Sequence, residues 1–243
     1  MTRTVLSITG ADRVAFLQGL ITNDVAKAAG GIIYAALLTP QGKFIADFFV
    51  LGQDDRLLVD VDSGAAPALA QRLTMYRLRA DVAIAETKIV VSRGLGDAPA
   101  GALADPRHPD MGWRHYGDTD ASDGTDWNAQ RVALGVPKTG VELTPDSYIL
   151  ELGFERLNGV DFKKGCFVGQ EIVARMKHKT ELKKGLARIA VDGSVAAGDA
   201  ITVDGKPVGT VHTVAGDQAL AYLRFDRAQS EMQTAHATLR KIG

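Results

Sequence analysis

The chain has 243 residues, of which 46% are apolar, and 28 Lys and Arg against 29 Asp and Glu give a formal net charge of −1. A chain of this length buries about 70–75% of the surface that its unfolded form exposes, so it can fold around a core without disulfides. The single cysteine excludes an internal disulfide and is too few for a zinc or iron-sulfur site made by this chain alone. No metal site is therefore predicted. The near-neutral charge also argues against direct nucleic-acid binding through a broad basic surface.

The longest apolar run, residues 32–38, is far shorter than the roughly 20 residues that a membrane-spanning helix needs. Residues 1–3 are not followed by a signal-like apolar stretch. The sequence therefore predicts a protein without a membrane segment, located in the cytoplasm.

The N-terminal part of the chain mixes strands and helices without strict alternation. An amphipathic helix is predicted to begin after Asp12, and a second helix at 67–78. Apolar runs bounded by turn residues predict strands at 5–8, 32–38, 44–51, 57–61, 82–84 and 88–91. This order favours an α+β sheet over a doubly wound parallel sheet.

The remainder of the chain changes character twice. Residues 94–126 gather Gly, Pro and Asp without periodicity, which indicates a connection. After residue 180, short β-rich runs alternate with turns such as Asp192-Gly193 and Asp204-Gly205, a spacing typical of a small barrel or sandwich. We therefore predict an α+β region at 1–179, with about 31–95 as one of two intertwined subdomains, and a C-terminal β-barrel at 185–243.

One segment concentrates residues suited to thiol chemistry. Residues 163–171 read K-K-G-C-F-V-G-Q-E, so the only cysteine, Cys166, follows two lysines and lies between two glycines. The glycines allow a sharp turn or a close approach to a ligand, and neighbouring ammonium groups favour the thiolate. The alternative is a small buried hydrophobe without a chemical role. The polar, loop-forming neighbours favour an accessible, functional thiol.

The same region is locally basic. Residues 163–184 contain seven Lys and Arg and two Glu, a local charge of +5 (7 − 2). Such a strip suits an anionic small molecule, a phosphate backbone or a protein partner. An ordinary solvated face is the competing interpretation.

Residues 164–171 resemble the K-G-C-[YF]-x-G-Q-E signature of the YgfZ-type folate-binding proteins, which are related to the aminomethyltransferase (T-protein) of the glycine cleavage system. Shorter matches follow in the same order: F-L-Q-G at 16–19, Y-R-L-R at 76–79, D-P-R at 105–107 and G-K-P-V-G at 205–209. The resemblance implies a multi-part, ring-like α+β fold of the aminomethyltransferase type, with a folate site and a C-terminal β-barrel.

The resemblance also implies a function. It is that of a tetrahydrofolate-binding accessory factor that supports assembly or repair of iron-sulfur enzymes, including tRNA-modifying ones, rather than a conventional enzyme. The implied partners are a reduced folate and iron-sulfur client proteins. Cys166 would be the functional thiol, and Lys164 would assist it.

Candidate folate-binding residues follow from the matching motifs. Glu151 lies in D-S-x-x-L-E-x-G, which resembles the pterin-binding stretch of the T-protein. A carboxylate there can accept two N–H bonds from the amino-pyrimidine edge of a pterin. The other candidates are Asp47, Arg114, Gly165, Gly169, Gln170 and Glu171.

Two alternatives stay open. The first is a folate-dependent aminomethyl or one-carbon transferase, but Ala46 stands where that family has the first of two paired acids, and Ile149 stands where it has an Arg. Proton transfer during folate chemistry needs a positioned acid or base, so these departures weigh against it. The second is a non-catalytic module whose basic strip docks a protein or tRNA.

Overall fold

The computed structural model describes residues 2–178, 181–228 and 231–242. The chain divides into two compact units, of which the first holds Met1–Thr125 and Phe154–Ala174 and the second holds Asp126–Gly153 and Arg175–Gly243. Residues 126–153 thus group with the C-terminal part, whereas the sequence analysis placed them in the α+β region. The predicted limit of that region, residue 179, lies outside the described residues.

The first unit is built on a five-stranded antiparallel sheet. Its strands are β1 (Arg3–Thr9), β2 (Ile32–Leu38), β3 (Phe44–Gly52), β4 (Leu57–Asp62) and β5 (Ala83–Glu86). They lie in the spatial order β2-β3-β4-β1-β5. Consecutive hairpins join β2, β3 and β4, and β1 lies between β4 and β5. Five of the strands predicted from the sequence form this sheet.

Alternation along the strands gives the sheet two different faces. On β1, Leu6 and Ile8 belong to the large apolar core, whereas Val5 belongs to a smaller cluster. The large core includes side chains of two helices, α1 (Arg13–Gln18) and α2 (Ala66–Arg77). The two helices therefore cover one face of the sheet.

A second, three-stranded sheet lies against the opposite face. It contains β6 (Val90–Gly94), β7 (Leu103–Ala104) and β8 (Trp113–Gly117) in the order β6-β8-β7. Side chains from this sheet pack on Val5, Leu51 and Leu58. Two of its strands, β7 and β8, lie within the segment that the sequence indicated as a connection. Their short runs become strands only through pairing, β8 with β6 and β7 with β8.

The second unit contains a closed barrel and the helix α3 (Trp127–Leu134). The last helix among the described residues, α4 (Gln170–His178), begins in the first unit. The barrel strands are β9 (Lys184–Gly193), β10 (Ala200–Val203), β11 (Lys206–Ala215), β12 (Gln218–Arg224), β13 (Met232–Gln233) and β14 (Ala237–Ile242). Their order is β10-β11-β12-β9-β14-β13, and β13 pairs with β10 to close the barrel. The α+β class and the C-terminal barrel are thus confirmed; β13 and β14 were not predicted.

Within the described part of the chain, no helix combines the length and apolar character that crossing a membrane requires.

Candidate functional site

Cys166 lies on an exposed loop just before α4, in the first unit. Phe167, the next residue, is buried, and Val168 packs against the large core of that unit. The loop is therefore fixed from its C-terminal side while the thiol faces solvent. The predicted accessibility of Cys166 is confirmed.

A reciprocal pair of hydrogen bonds fixes the loop from its N-terminal side. The Lys164 ammonium donates to the carbonyl of Gln18 at 2.5 Å, and the Gln18 amide donates to the carbonyl of Lys164 at 3.2 Å. The same Gln18 side chain accepts from the Val25 amide at 2.8 Å, so it links α1 to the loop. Burial lowers the pKa of Lys164, and its ammonium also lies 5.1 Å from the centroid of the Phe167 ring. Lys164 thus holds the loop in place.

Gly165 and Gly169 of the motif are glycines for two different physical reasons. Gly169 has a φ of +84°, and a Cβ placed on it would lie 2.6 Å from the carbonyl oxygen of Thr39 and 3.1 Å from the Cα of Gly42. The turn between β2 and β3 therefore touches the start of α4 backbone to backbone. Gly165 has a φ of +94°, but no atom lies within 4 Å of a Cβ placed there. Glycine is favoured at position 165 only because of the positive φ.

The charges around the loop are partly compensated. The Asp161 carboxylate accepts from the backbone amide of Lys163 at 2.7 Å and pairs with the Lys27 ammonium at 2.7 Å. Glu171, in the first turn of α4, is exposed, and Gln170 is half-buried. Negative charge in a first turn is favourable for a helix, which gives Glu171 a structural explanation besides the predicted folate contact.

Arg114, a predicted folate ligand, lies in a buried network of charges. It donates to Asp60 at 2.5 Å, lies 3.5 Å from a carboxylate oxygen of Asp105 and stacks on Phe49 with its Cζ 3.9 Å from the ring centroid. Its side chain is 2% exposed. Because its charge is already paired and its face is covered, the geometry favours a structural role for Arg114.

The Asp47 side chain lies on the same face of the five-stranded sheet as Phe49, the ring on which Arg114 stacks. It is buried and accepts a hydrogen bond from the Tyr34 hydroxyl at 2.8 Å. Burial, with the Asp47 charge next in effect, holds the pKa of Tyr34 well above its usual range, so the hydroxyl stays a donor. The guanidinium of Arg107 lies 5.5 Å from the Tyr34 ring and also pairs with Asp105 at 2.7 Å. Asp47 and Arg114 therefore border one buried polar cluster.

Glu151 belongs to the second unit. Its carboxylate accepts a hydrogen bond from the Tyr222 hydroxyl, and its other oxygen lies 3.9 Å from the Lys184 ammonium. Burial, followed by the bond to Glu151, raises the pKa of Tyr222 above its usual range. Only 9% of the Glu151 side chain is exposed. Its Oε1 is too far from Lys184 for a hydrogen bond and retains acceptor capacity.

The structure thus brings together the five predicted residues of the thiol motif, Lys164, Gly165, Cys166, Gly169 and Gln170, with Glu171 directly after them. No role was predicted for Gln18, Gly42 or Arg107, which fix the loop and the polar cluster. Gln18 and Arg107 lie in short stretches that matched the related family, so a signal was present for these two. Their roles are contacts distant in sequence, as between Gln18 and Lys164, 146 residues apart.

Comparison with known folds defines the class of protein. Residues 183–241 match the model of the CAF17 C-terminal beta-barrel domain. The glycine cleavage system aminomethyltransferase T from Bartonella henselae superposes with a TM-score of 0.82 over 99% of this chain and 83% of that chain, at 13% sequence identity. The chain therefore has an aminomethyltransferase-type fold with a C-terminal six-stranded barrel.

Sequence comparison narrows the class to a family. The mitochondrial iron-sulfur cluster assembly factor IBA57 of Homo sapiens is 30% identical over 95% of this chain and 78% of its own length. The IBA57 homolog of Mycosarcoma maydis is also 30% identical, over 75% of this chain, and the match spans 54% of that relative. The chain belongs to the IBA57 family of iron-sulfur cluster assembly factors.

Two expectations need correction. The chain resembles the related YgfZ-type proteins in its thiol motif, but the family it belongs to is IBA57. The predicted cytoplasmic location is wrong, since the relatives from Mycosarcoma maydis, human and mouse are named as mitochondrial proteins. The composition of the chain does not predict its compartment, because targeting depends on short segments that receptors recognise and leaves the folded core unchanged.

Proposed function

We propose that this protein is a mitochondrial iron-sulfur cluster assembly factor that acts on its client enzymes through the thiol of Cys166 and binds a reduced folate. The observation that carries the proposal is the combination of an exposed thiol with a loop held rigidly on both sides. Membership in a family of such factors supports it. A rigid loop presents the sulfur to a partner without the entropy loss that ordering a mobile loop would add.

The thiol defines the chemistry that the protein can offer. Iron-sulfur clusters are held by cysteine thiolates, usually four. Cys166 can supply one such bond. A cluster bound by this thiol would therefore need its other thiolates from a partner protein. The resemblance to YgfZ-type proteins extends the proposed clients to iron-sulfur enzymes that modify tRNA.

The proposed cofactor is tetrahydrofolate or a derivative. The buried Glu151 carboxylate suits the amino-pyrimidine edge of a pterin, because each carboxylate oxygen can accept two hydrogen bonds and Tyr222 occupies one position on one oxygen. Asp47, a buried carboxylate of the first unit, is the alternative candidate for this contact. Bound folate would supply a one-carbon carrier; this chain's own residues would hold and orient it.

The folate-dependent transferase stays the alternative. Ala46 lies in the large apolar core, whereas Asp47 points to the opposite face of β3. Asp47 is therefore the acid of this strand that could take part in transfer. An assay of one-carbon transfer from an aminomethyl donor to tetrahydrofolate separates the two functions, because turnover would establish the transferase.

The proposed role of the thiol is tested by Cys166→Ala in cells lacking the IBA57-type protein. Because Cys166 is exposed, we expect the melting temperature of Cys166→Ala to stay close to wild type, while iron-sulfur client activity is not restored. Client enzyme activity and the melting curve of the purified variant are measured together. Lys88→Ala is the control, since it removes an exposed side chain of the same unit and leaves the thiol loop unchanged. Full restoration by Cys166→Ala would remove the thiol from the function.

A further inference from the structure

The C-terminal end of α2 places a bulky apolar residue in a strained backbone conformation. Leu78 has φ 46° and ψ −106°, and the amide of Ala80 donates to the carbonyl of Arg77 at 2.8 Å. These values define a type II′ turn with Leu78 at its first central position, which normally requires glycine. A non-glycine residue in such a region costs of the order of 1–3 kcal/mol.

The strain is not offset by burial. Leu78 is 88% exposed, and Met75, three residues earlier in the last turn of the helix, is 63% exposed. A glycine at position 78 would relieve the strain, and a polar side chain there would relieve the exposure. Folding alone therefore does not explain leucine at this position. Backbone strain that the fold does not require clusters at functional sites, and it is the strain at Leu78 that distinguishes this residue from an ordinary exposed leucine.

Charge around the two apolar side chains indicates the kind of partner. Arg72, Arg77 and Arg79 are exposed, and within the part of the chain that the structure describes they form no ion pair. Residues 72–79 contain no acidic side chain. Asp81, the acid nearest in sequence, accepts from the backbone amide of Ala11 at 3.2 Å, and its own backbone amide donates to the Asp12 carboxylate at 2.8 Å.

We propose that this surface, made of Met75 and Leu78 with Arg72, Arg77 and Arg79, docks an acidic protein whose apolar pocket receives Leu78. Burying a leucine gains about 1.5–3 kcal/mol, and arginines at the rim steer an acidic partner into place. A protein fits better than a nucleic acid, because the surface has no exposed aromatic ring on which a base could stack. Two apolar side chains are also too few for firm attachment to a bilayer. No residue of the surface belongs to the Cys166 loop.

The first test separates strain from binding. Leu78→Gly should raise the melting temperature of the purified protein, because glycine adopts a positive φ without a steric cost. Leu78→Met keeps the strain and the apolar character and should leave the melting temperature unchanged. A Leu78→Gly variant that melts lower than wild type would show that the leucine contributes to the fold and would overturn the proposal.

The second test identifies the partner by cross-linking in the cells that make the protein. A photoreactive leucine analogue is placed at position 78 and, as a control, at position 95, where another leucine is 43% exposed. We expect a cross-link to one acidic protein at position 78 only, lost when Arg72→Glu and Arg79→Glu are combined. That protein is then purified and titrated. Its affinity should fall at least tenfold with Leu78→Gly, remain with Leu78→Met and weaken with added salt.

Several results would overturn the docking surface. These are the absence of a cross-link specific to position 78, a cross-link to RNA or lipid alone, and an affinity of the purified protein that Leu78→Gly leaves unchanged. These measurements do not depend on Cys166 or on folate. A result that contradicts the proposed function therefore leaves the docking surface untouched, and a result that contradicts the docking surface leaves the proposed function untouched.

Discussion

Asp60 shows how a single buried side chain organises the polar side of the first unit. One oxygen accepts from Arg3 at 2.6 Å, and the other accepts from Arg114 at 2.5 Å and from the Tyr116 hydroxyl at 2.8 Å. Burial by itself would raise the pKa of this carboxyl, but the charges of Arg114 and Arg3 outweigh burial and lower it. The ion pairs therefore hold Asp60 ionised in the folded state.

Asp60→Asn is expected to destabilise the protein by about 3–5 kcal/mol, because it leaves Arg3 without its counter-charge and the buried Arg114 with only the more distant carboxylate of Asp105. Urea unfolding at neutral pH measures the change. Asp226→Asn is the matched control, since Asp226 pairs with Arg224 at 3.3 Å on an exposed surface, where solvent screens the pair. Equal effects of the two substitutions would contradict the importance of the buried network.

The same carboxyl predicts a direction for pH dependence. The folded-state pKa of Asp60 is below its ordinary value, so the stabilisation is complete above the unfolded-state pKa of about 3.9 and is lost as pH falls through the folded-state value. The wild-type protein should thus lose stability steeply below about pH 4. Asp60→Asn should show a shallower loss over this range in unfolding curves recorded at successive pH values. Parallel curves would mean that Asp60 does not contribute to acid unfolding.

The contact between the β2–β3 turn and the start of α4 explains two glycines at once. Gly42 also has a positive φ, +74°, and a Cβ placed on it would lie 2.8 Å from the Cβ of Ile172. Each element thus needs a glycine where it meets the other. This close approach holds α4, and with it the end of the thiol loop, against the sheet.

Gly169→Ala should destabilise the first unit more than Gly165→Ala. Both substitutions place a Cβ at a positive φ, which costs about 1–2 kcal/mol. Only Gly169→Ala adds a clash with the backbone of Thr39, so we expect it to lose roughly 2 kcal/mol more. Thermal unfolding of the two variants measures the difference. Equal losses would show that the turn and helix can move apart without cost.

A buried ion pair explains why residues 126–153 group with the barrel. Arg131 of α3 donates to Glu142 at 3.1 Å and to the Thr213 hydroxyl of β11 at 2.9 Å, and Thr213 in turn donates to Glu142. All three belong to the second unit. The interaction joins a helix, a loop and a strand that are separated in sequence, so no local pattern indicated it.

For the molecule as a whole, binding of the proposed folate is expected to increase the stability of the folded state. A ligand that binds only the folded state stabilises it by about 2.7 kcal/mol at a concentration 100-fold above its Kd. For a chain of this size, that corresponds to a rise in melting temperature of about 5–10 °C. Tetrahydrofolate in excess of a Kd in the micromolar range should therefore shift the melting curve of the wild-type protein upward.

Glu151→Ala should reduce this shift, since removing a charged partner of buried N–H groups costs about 1.5–3 kcal/mol, or more than tenfold in affinity. Calorimetric titration with tetrahydrofolate gives the affinity directly. Glu181→Ala, which removes an exposed acid, serves as the control. An unchanged affinity for Glu151→Ala would remove that residue from the folate site, and no binding to the wild-type protein would remove the cofactor.

Local patterns were sufficient for much of the architecture. The strands β2, β3 and β4 and the hairpins of the barrel follow from alternation and turn residues, because a turn such as Asp204-Gly205 fixes the pairing of its neighbours. The thiol loop was also visible, since K-G-C-F-V-G-Q-E is contiguous. Exposure of Cys166 followed from its polar neighbours.

Interactions between distant residues depended on the tertiary structure. The sequence does not pair Lys164 with Gln18, Asp60 with Arg114, or Gly42 with Gly169, because these contacts exist only after the sheets and helices pack. For the same reason, residues 94–126 were interpreted as a connection, although β7 and β8 lie within them. Short-range propensity acts within a few residues, whereas a buried ion pair or a backbone contact depends on where the whole chain brings two side chains together.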